Sequence, residues 1–486
     1  MKILISLFTL TALVLFSSCK TEPLTKKYDI CIFGGTSSGI IAAVSAKKMG
    51  NSVIVVEPSA HIGGLTTGGL GQTDIGNKSA ITGLSRNFYK RVGNYYGVDE
   101  KWTFEPKVAS KVYNDFIVES DIEIISNALL VKTIKNRRKI ISLGFKLSDK
   151  GSDSIFIIKA KVFIDCSYEG DLMEQAGVSY MVGRESNQTY NETENGVQLQ
   201  ANHQFPDNID PYIIKGDSSS GLLWGISGEK LQARGSGDKK VQAYNFRICL
   251  TDSMGNMIPI TRPLSYDSTK YELLLRLIEA TKNTDLYRYF IWSRMPNRKT
   301  DINNRGGFST DMIGVNWDYP EGDNTKRQVI IKEHLDYTLG LLYFFGHDIR
   351  VPEIMRTEML KWEYPKDEFI NNNHFTPQLY IREARRMIGE YVMKEQNCRG
   401  IEVVEDPVGQ AAYTMDSHNC QRIVVNGMVK NEGNVEVGGF PPYPISYRSL
   451  TPKRSECTNL LVPVCLSASH IAYGSIRMEP VFMVLG

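Results

Sequence analysis

The sequence predicts an α/β fold, a parallel sheet covered by helices and interrupted by an inserted lobe of mixed α+β character. Three observations predict it. The first is a succession of strand, turn, helix and strand between Tyr28 and Pro58. The second is a later apolar run that ends, like the strand before it, in an acid, Asp165. The third is a change of texture between about Glu185 and Asn397, where polar glycine-rich loops alternate with helical stretches.

The first unit carries the most information. "YDICIF", Tyr28 to Phe33, is rich in β-formers and bounded by charge, the pattern of a strand buried on both faces. "SSGIIAAVSAKKMG", Ser37 to Gly50, has apolar residues at helical spacing and stops at a glycine. "SVIVVEP", Ser52 to Pro58, predicts the second strand and ends in Glu57. Between the first strand and the helix stands "GGTSSG", Gly34 to Gly39, with Thr36 where a dinucleotide fingerprint has its second glycine. In this context the stretch predicts a Rossmann-like dinucleotide site. Gly34, beside Gly35, lets the chain leave the strand in a tight turn, and Gly39 lets the helix pack close to the sheet. The backbone amides around Thr36, Ser37 and Ser38 point at a pyrophosphate on the helix N-terminus. Glu57 accepts hydrogen bonds from the adenosine ribose, and Thr36 adds a hydroxyl donor near the phosphates.

The following residues indicate which dinucleotide. "EPSAHIGGLTTGGLGQTDIG", Glu57 to Gly76, resembles the segment after the second strand in FAD proteins of the glutathione-reductase fold. That resemblance implies that Gly63, Gly64, Leu65 and Thr66 lie against the pyrophosphate and flavin. "KVFIDCSYEGD", Lys161 to Asp171, looks like the strand-end motif that closes the FAD site in the same superfamily, which implies roles for Asp165, Cys166, Glu169 and Asp171. It also implies that Leu130, in "NALLVKTI", lends its backbone to the adenine. Ile445 to Gly486 resembles the flavin-facing segment of a family of FAD-dependent oxidoreductases. Some exported members of that family are labelled xanthan lyase, and the flavin subunit of heterodisulfide reductase is a more distant relative. The resemblance covers most of Tyr28 to Arg184 and about Arg382 to Gly486. Pro463-Val464-Cys465 departs from the Gly-Arg-Cys of many relatives, which bears on contact between that turn and the flavin. Pro480 suits the first turn of a helix after Glu479, and the N-terminus of that helix is expected to face the flavin pyrimidine ring. In the family this helix continues, so it is expected to be cut short at Gly486.

The domain organisation follows. Residues 28–184 and 398–486 are expected to form the two parts of the FAD-binding domain, with 185–397 as a substrate or cap domain. The cap holds the helical stretches "YELLLRLIEATK" and "RQVIIKEHLDYTLGLLYFFG" and four of the five tryptophans. Ahead of the fold, Ile3 to Phe16 is an apolar run shorter than a membrane span and is followed by "SSCK", which predicts a signal peptide over residues 1–18. "LFSSC" resembles a lipoprotein box, implying an acylated Cys19, a tether over 19–27 and a membrane-anchored, exported protein.

Composition narrows the chemistry. A net charge of +2 with no long basic run argues against nucleic acid as a partner. No cysteine forms a CxxC and no histidine pair has ligand spacing, so no metal is expected. In a flavoenzyme the protein supplies orientation and proton transfer. The candidates are His418 in "MDSHN", Arg448 in "SYRS", His470 in "SASH" and Arg477 in "SIRMEP". Against each stands a plainer reading, a core histidine or an arginine that neutralises phosphate or pairs with an acid such as Glu479. The sequence therefore predicts an exported FAD-dependent oxidoreductase that passes a hydride between a small organic substrate, sugar derivatives among the candidates, and flavin, with an unknown electron acceptor. The alternative is a polysaccharide-processing lyase, or a glycan-binding lipoprotein, that retains a structural flavin.

Overall fold

A computed structural model describes residues 24–148 and 155–486. Cys19 and the predicted signal peptide lie outside the described residues. The sheet is built from β1 (Thr25–Phe33), β2 (Val53–Val56), β3 (Glu123–Ile125), β4 (Ala128–Asn136), β5 (Lys139–Leu147) and β6 (Ile155–Asp165), in the order β3-β2-β1-β6-β5-β4. The first four strands in that order are parallel, and β5 and β4 add an antiparallel extension. The short strand Leu460–Leu461 lies parallel to the last turn of β6, opposite Phe163 and Ile164. The chain thus returns to its first sheet near its C-terminal end.

Alternation along the central strands explains their apolar runs. Cys31, Phe33, Ile54 and Val56 join one core, with Leu143 and Phe163. Ile32, Val53 and Val55 face the other core, with Ile40 and Val44 of α1 (Ser37–Lys48). A strand covered on both faces needs an apolar residue at every position. The helix α1 is buried along nine of its twelve residues, and the helix Glu479–Leu485 packs against it. After β2 come the short helix α2 (Gly64–Thr67) and the helices α3 (Gly83–Tyr95) and α4 (Pro106–Glu119), the last opened by a proline at its first position. The turn after β6 leads into α5 (Asp171–Gln175).

Between these halves the helices Glu272–Thr281 and Asn324–His347 occur where the sequence predicts them. A long interrupted hairpin follows, pairing 407–411 with 443–446, 415–417 with 435–437, and 421–425 with 428–432. It docks on the inserted lobe: Ser227 N donates to Arg422 O at 2.7 Å, and Val429 N donates to Ile209 O at 2.9 Å. The layer formed by the insert therefore includes residues on both sides of Asn397.

Candidate functional site

The site begins where β1 and β6 end side by side. Gly34 has φ +99, and a Cβ there would stand 2.6 Å from the backbone of Cys166 and Ser167, so only glycine fits between the two strand ends. Thr36 caps α1: its hydroxyl accepts from Gly39 N at 3.3 Å and donates to the Cys166 carbonyl at 2.8 Å. That hydroxyl is committed inside the protein, which corrects the expectation that it serves as a donor to a phosphate. The Thr36, Ser37 and Ser38 amides have no acceptor among the described residues, and the Ser38 hydroxyl is buried without a partner. Unpaired donors at a buried helix tip are costly unless an anion meets them, so this end of α1 fits the pyrophosphate of the FAD that the resemblance implies.

Glu57 lies at the end of β2. One oxygen accepts from Gly35 N at 2.7 Å, and the other from Ser59 N at 2.8 Å and Ser59 Oγ at 2.7 Å. Of roughly four lone-pair sites on the carboxylate, one remains for a ribose hydroxyl. Burial pushes this carboxyl up to about 7. From here a groove of about 670 Å³ runs past Leu130 and Thr36 to Tyr168, Gln378 and Leu379, a volume in the range of organic-ligand clefts.

The turn after β6 forms one wall. Asp165 accepts from Ser167 N at 3.0 Å, Ser167 Oγ at 2.7 Å and Met173 N at 2.8 Å, fixing the turn and the start of α5. It organises the wall from beneath, and burial raises its carboxyl to about 6. Glu169 and Asp171 line the groove. Glu169 accepts from Tyr319 Oη at 3.0 Å, and Asp171 pairs with Arg327 at 2.6 and 2.9 Å and with Arg385 at 2.8 Å. Burial alone would raise the Asp171 carboxyl, but the Arg327 guanidinium outweighs it and holds it low. These pairs draw the long helix of the insert over the groove. Cys465 sits behind the same turn, its Sγ 3.4 Å from the Tyr168 carbonyl.

Tyr168 separates the groove from a buried polar nest. Its hydroxyl accepts from Leu65 N at 2.9 Å and donates to Glu479 at 2.7 Å. A Cβ on Gly64 would lie 2.3 Å from that hydroxyl. Gly63, at φ +95, turns the chain into α2. Glu479 also accepts from Thr66 Oγ1 at 2.9 Å and from Ser37 Oγ, and burial raises its carboxyl. The Pro480 carbonyl accepts from Ser85 at 2.8 Å. Glu479 and Pro480 thus stand at the tip of α1, behind Tyr168.

The four catalytic candidates have different fates. Arg448 is a surface residue in a two-pronged pair with Asp406 at 3.1 and 3.2 Å. His470 is buried, with Nδ1 2.8 Å from Glu383 and Nε2 2.9 Å from Ser417 Oγ, in a network where Arg386 bridges Glu383 and Glu185. Both ring nitrogens are engaged by the protein. His418 and Arg477 come together around Asp416: Arg477 Nη2 lies 3.1 Å from its carboxylate and His418 Nε2 lies 3.6 Å from it. His418 Nδ1 is 2.8 Å from Asp311, and Arg477 Nη1 is 2.7 Å from the Tyr380 hydroxyl.

Several residues of this cluster escaped the sequence reading. Asp311 also pairs with Arg382 at 2.9 Å, and Arg247 pairs with Asp301 at 2.8 and 2.7 Å and with Asp74 at 3.4 Å. The guanidiniums of Arg382, Arg477 and Arg247 stand 4.7, 5.8 and 6.0 Å from the Tyr380 ring centroid. The cluster adjoins the groove, because Leu379 and Ile381 line the groove while Tyr380 and Arg382 between and after them belong to the cluster. One signal was available: "REARR", Arg382 to Arg386, packs charge into a stretch without helical spacing, and all its charged residues are buried. A second acidic group, Glu105, Asp367 and Glu368, converges on Lys299 Nζ at 2.7, 2.9 and 2.6 Å, so a lysine already occupies its centre.

Solved structures match over about a third of the chain. THI4 from Thermovibrio ammonificans is 16% identical, with a TM-score of 0.27 over 33% of this chain and 66% of its own. Anhydrotetracycline hydroxylase OxyS from Streptomyces rimosus is 10% identical, with a TM-score of 0.26 over 37% and 36%. L-amino acid deaminase from Proteus vulgaris is 13% identical, with a TM-score of 0.26 over 34% and 54%. The chain thus spans less than two thirds of the length of each. No curated protein sequence matches. The model of the FAD dependent oxidoreductase family matches residues 29–486, and on that match the chain belongs to the FAD dependent oxidoreductase family.

Proposed function

We propose that the protein passes a hydride between a small organic, sugar-derived substrate and FAD, and that it works outside the cytoplasm. The observation that carries this reading is the adjacency of groove and charged cluster across the segment Gln378–Arg382. The α1 amides hold the pyrophosphate, Glu57 the ribose and the Leu130 backbone the adenine, while Arg327 and Arg385 clamp the wall at Asp171. FAD supplies the two-electron acceptor. The cluster supplies hydrogen-bond donors and acceptors that orient the substrate and a histidine that handles a proton.

Anaerobic mixing of the FAD-loaded protein with a panel of sugars, alcohols and acids tests the reading. Loss of the visible flavin band with one of them supports it. Retained FAD that no compound reduces would favour a lyase or a glycan-binding role. Among the described residues no helix is long and apolar enough to cross a membrane. The proposed attachment is lipid at Cys19, and it predicts that a C19A variant leaves the membrane fraction.

A further inference from the structure

We infer that the cluster around Tyr380 takes a neutral polyhydroxylated substrate, and that His418, positioned by Asp311, receives the proton of the hydroxyl group being oxidised. The inference rests on the proposed oxidoreductase reading and deepens it.

Charge decides the substrate class. The cations Arg247, Arg382 and Arg477 are matched by Asp74, Asp301, Asp311 and Asp416. No positive charge is left over for a carboxylate or phosphate, and a bound anion would face the acids without compensation. A polyol, whose hydroxyls both donate and accept, suits alternating guanidiniums and carboxylates. The Nε–H groups of Arg382 and Arg477 are buried and have no partner among the described residues. Buried donors are rarely left unpaired, so substrate oxygens are the natural acceptors. The cluster reaches solvent through Asp74, Asp416 and His418, whose side chains are 30, 17 and 12% exposed.

Geometry decides the proton acceptor. The Asp311 carboxylate can only accept, so the 2.8 Å contact assigns the ring proton to Nδ1 of His418. In the neutral ring Nε2 then carries the lone pair, and at 3.6 Å from Asp416 it is beyond hydrogen-bond distance. The groups facing this ring are Asp311 and Asp416, Arg382 through Asp311, Arg477 through Asp416, and His203, whose ring lies 6.5 Å away and pairs with Glu436. Burial alone would raise Asp311, but Arg382 and His418 outweigh it and keep it ionised. With FAD held in the groove, the flavin would take the carbinol hydrogen and its electron pair as hydride when the C–H bond breaks, and Nε2 of His418 would take the O–H proton. The C–O bond becomes C=O, and no other co-reactant is needed.

The test is anaerobic reduction of the FAD-loaded protein by D-glucose, D-galactose and myo-inositol, set against D-gluconate and D-glucuronate. At least one neutral probe should bleach the flavin, and the acids should not. The limiting rate should rise with pH through one ionisation. H418Q should lower that rate by about 10²-fold or more, leave the half-saturating concentration within about threefold and abolish the pH step, and D311N should shift the step. H418N serves if H418Q does not fold. Bleaching by the acids alone, by none of the neutral probes, a flat wild-type pH profile, or an unchanged rate in H418Q would each overturn the inference. A wild-type protein that takes up no FAD would defeat the underlying reading itself, and the flavin spectrum recorded before mixing distinguishes that failure from the others.

Discussion

The Thr36 hydroxyl donates to the carbonyl of Cys166, 130 residues away, at 2.8 Å. That bond ties the first turn of α1 to the end of β6, and Gly34 beside it leaves no room for a side chain. The wall of the groove and the tip of the helix are therefore one rigid unit.

The close approach at Gly34 predicts a large effect from one methyl group. G34A adds a Cβ at a left-handed φ and 2.6 Å from two backbone atoms. It should destabilise the protein by at least about 2 kcal/mol, measured by chemical denaturation, and should purify with less FAD. An unchanged midpoint would show that the two strand ends are not in contact.

Glu57 predicts how FAD affinity depends on pH. Burial raises its carboxyl to about 7 in the free protein, whereas a ribose hydroxyl needs the ionised form as acceptor. Above about pH 7 the carboxylate is ready. Below it, binding must release a proton, so affinity should fall by up to about tenfold per pH unit. Calorimetric titration between pH 5 and 8 checks this, and E57Q should flatten the profile.

His470 is predicted to act on stability. Burial would raise Glu383, but His470 and Arg386 outweigh it and hold the carboxyl at about 2. H470A removes one partner and should cost about 3 kcal/mol at pH 7. A depressed carboxylate stabilises the fold above its unfolded pKa and ceases to do so as pH falls through its folded one. The gap between wild type and H470A should therefore close between about pH 4 and pH 2. A loss of turnover with unchanged stability would instead place His470 at the chemistry.

Arg448 predicts silence. Its side chain is 46% exposed and its ion pair with Asp406 is open to solvent, where such pairs contribute little. R448A should keep the unfolding midpoint, the FAD content and the rate of flavin reduction. A slowed reduction would contradict its placement.

The nucleotide unit was legible because its residues lie close together in the chain. The turn Gly34 to Gly39, the strand before it and Glu57 have spacings set by the strand-helix-strand geometry itself. The wall at Glu169 and Asp171 was legible through its resemblance to known strand ends. The job of Thr36 was not, since its partner Cys166 is brought near only by the pairing of β1 with β6. Asp311, Tyr380, Arg382, Asp416 and His418 come from segments that meet only in the folded chain. Of that cluster the sequence offered His418 and Arg477 as isolated candidates, without their partners.

The proposed function rests on a grip by the amides at the tip of α1 and the Glu57 carboxylate on the adenosine diphosphate half of FAD. Calorimetric titration of the cofactor-stripped protein with FAD and, separately, with FMN, which keeps one of the two phosphates but lacks the adenylate, tests that grip. One saturable site for FAD is expected, with FMN bound more weakly by about 100-fold, the equivalent of about 3 kcal/mol of lost polar contacts. Equal affinity for the two, or no uptake of FAD, would contradict it.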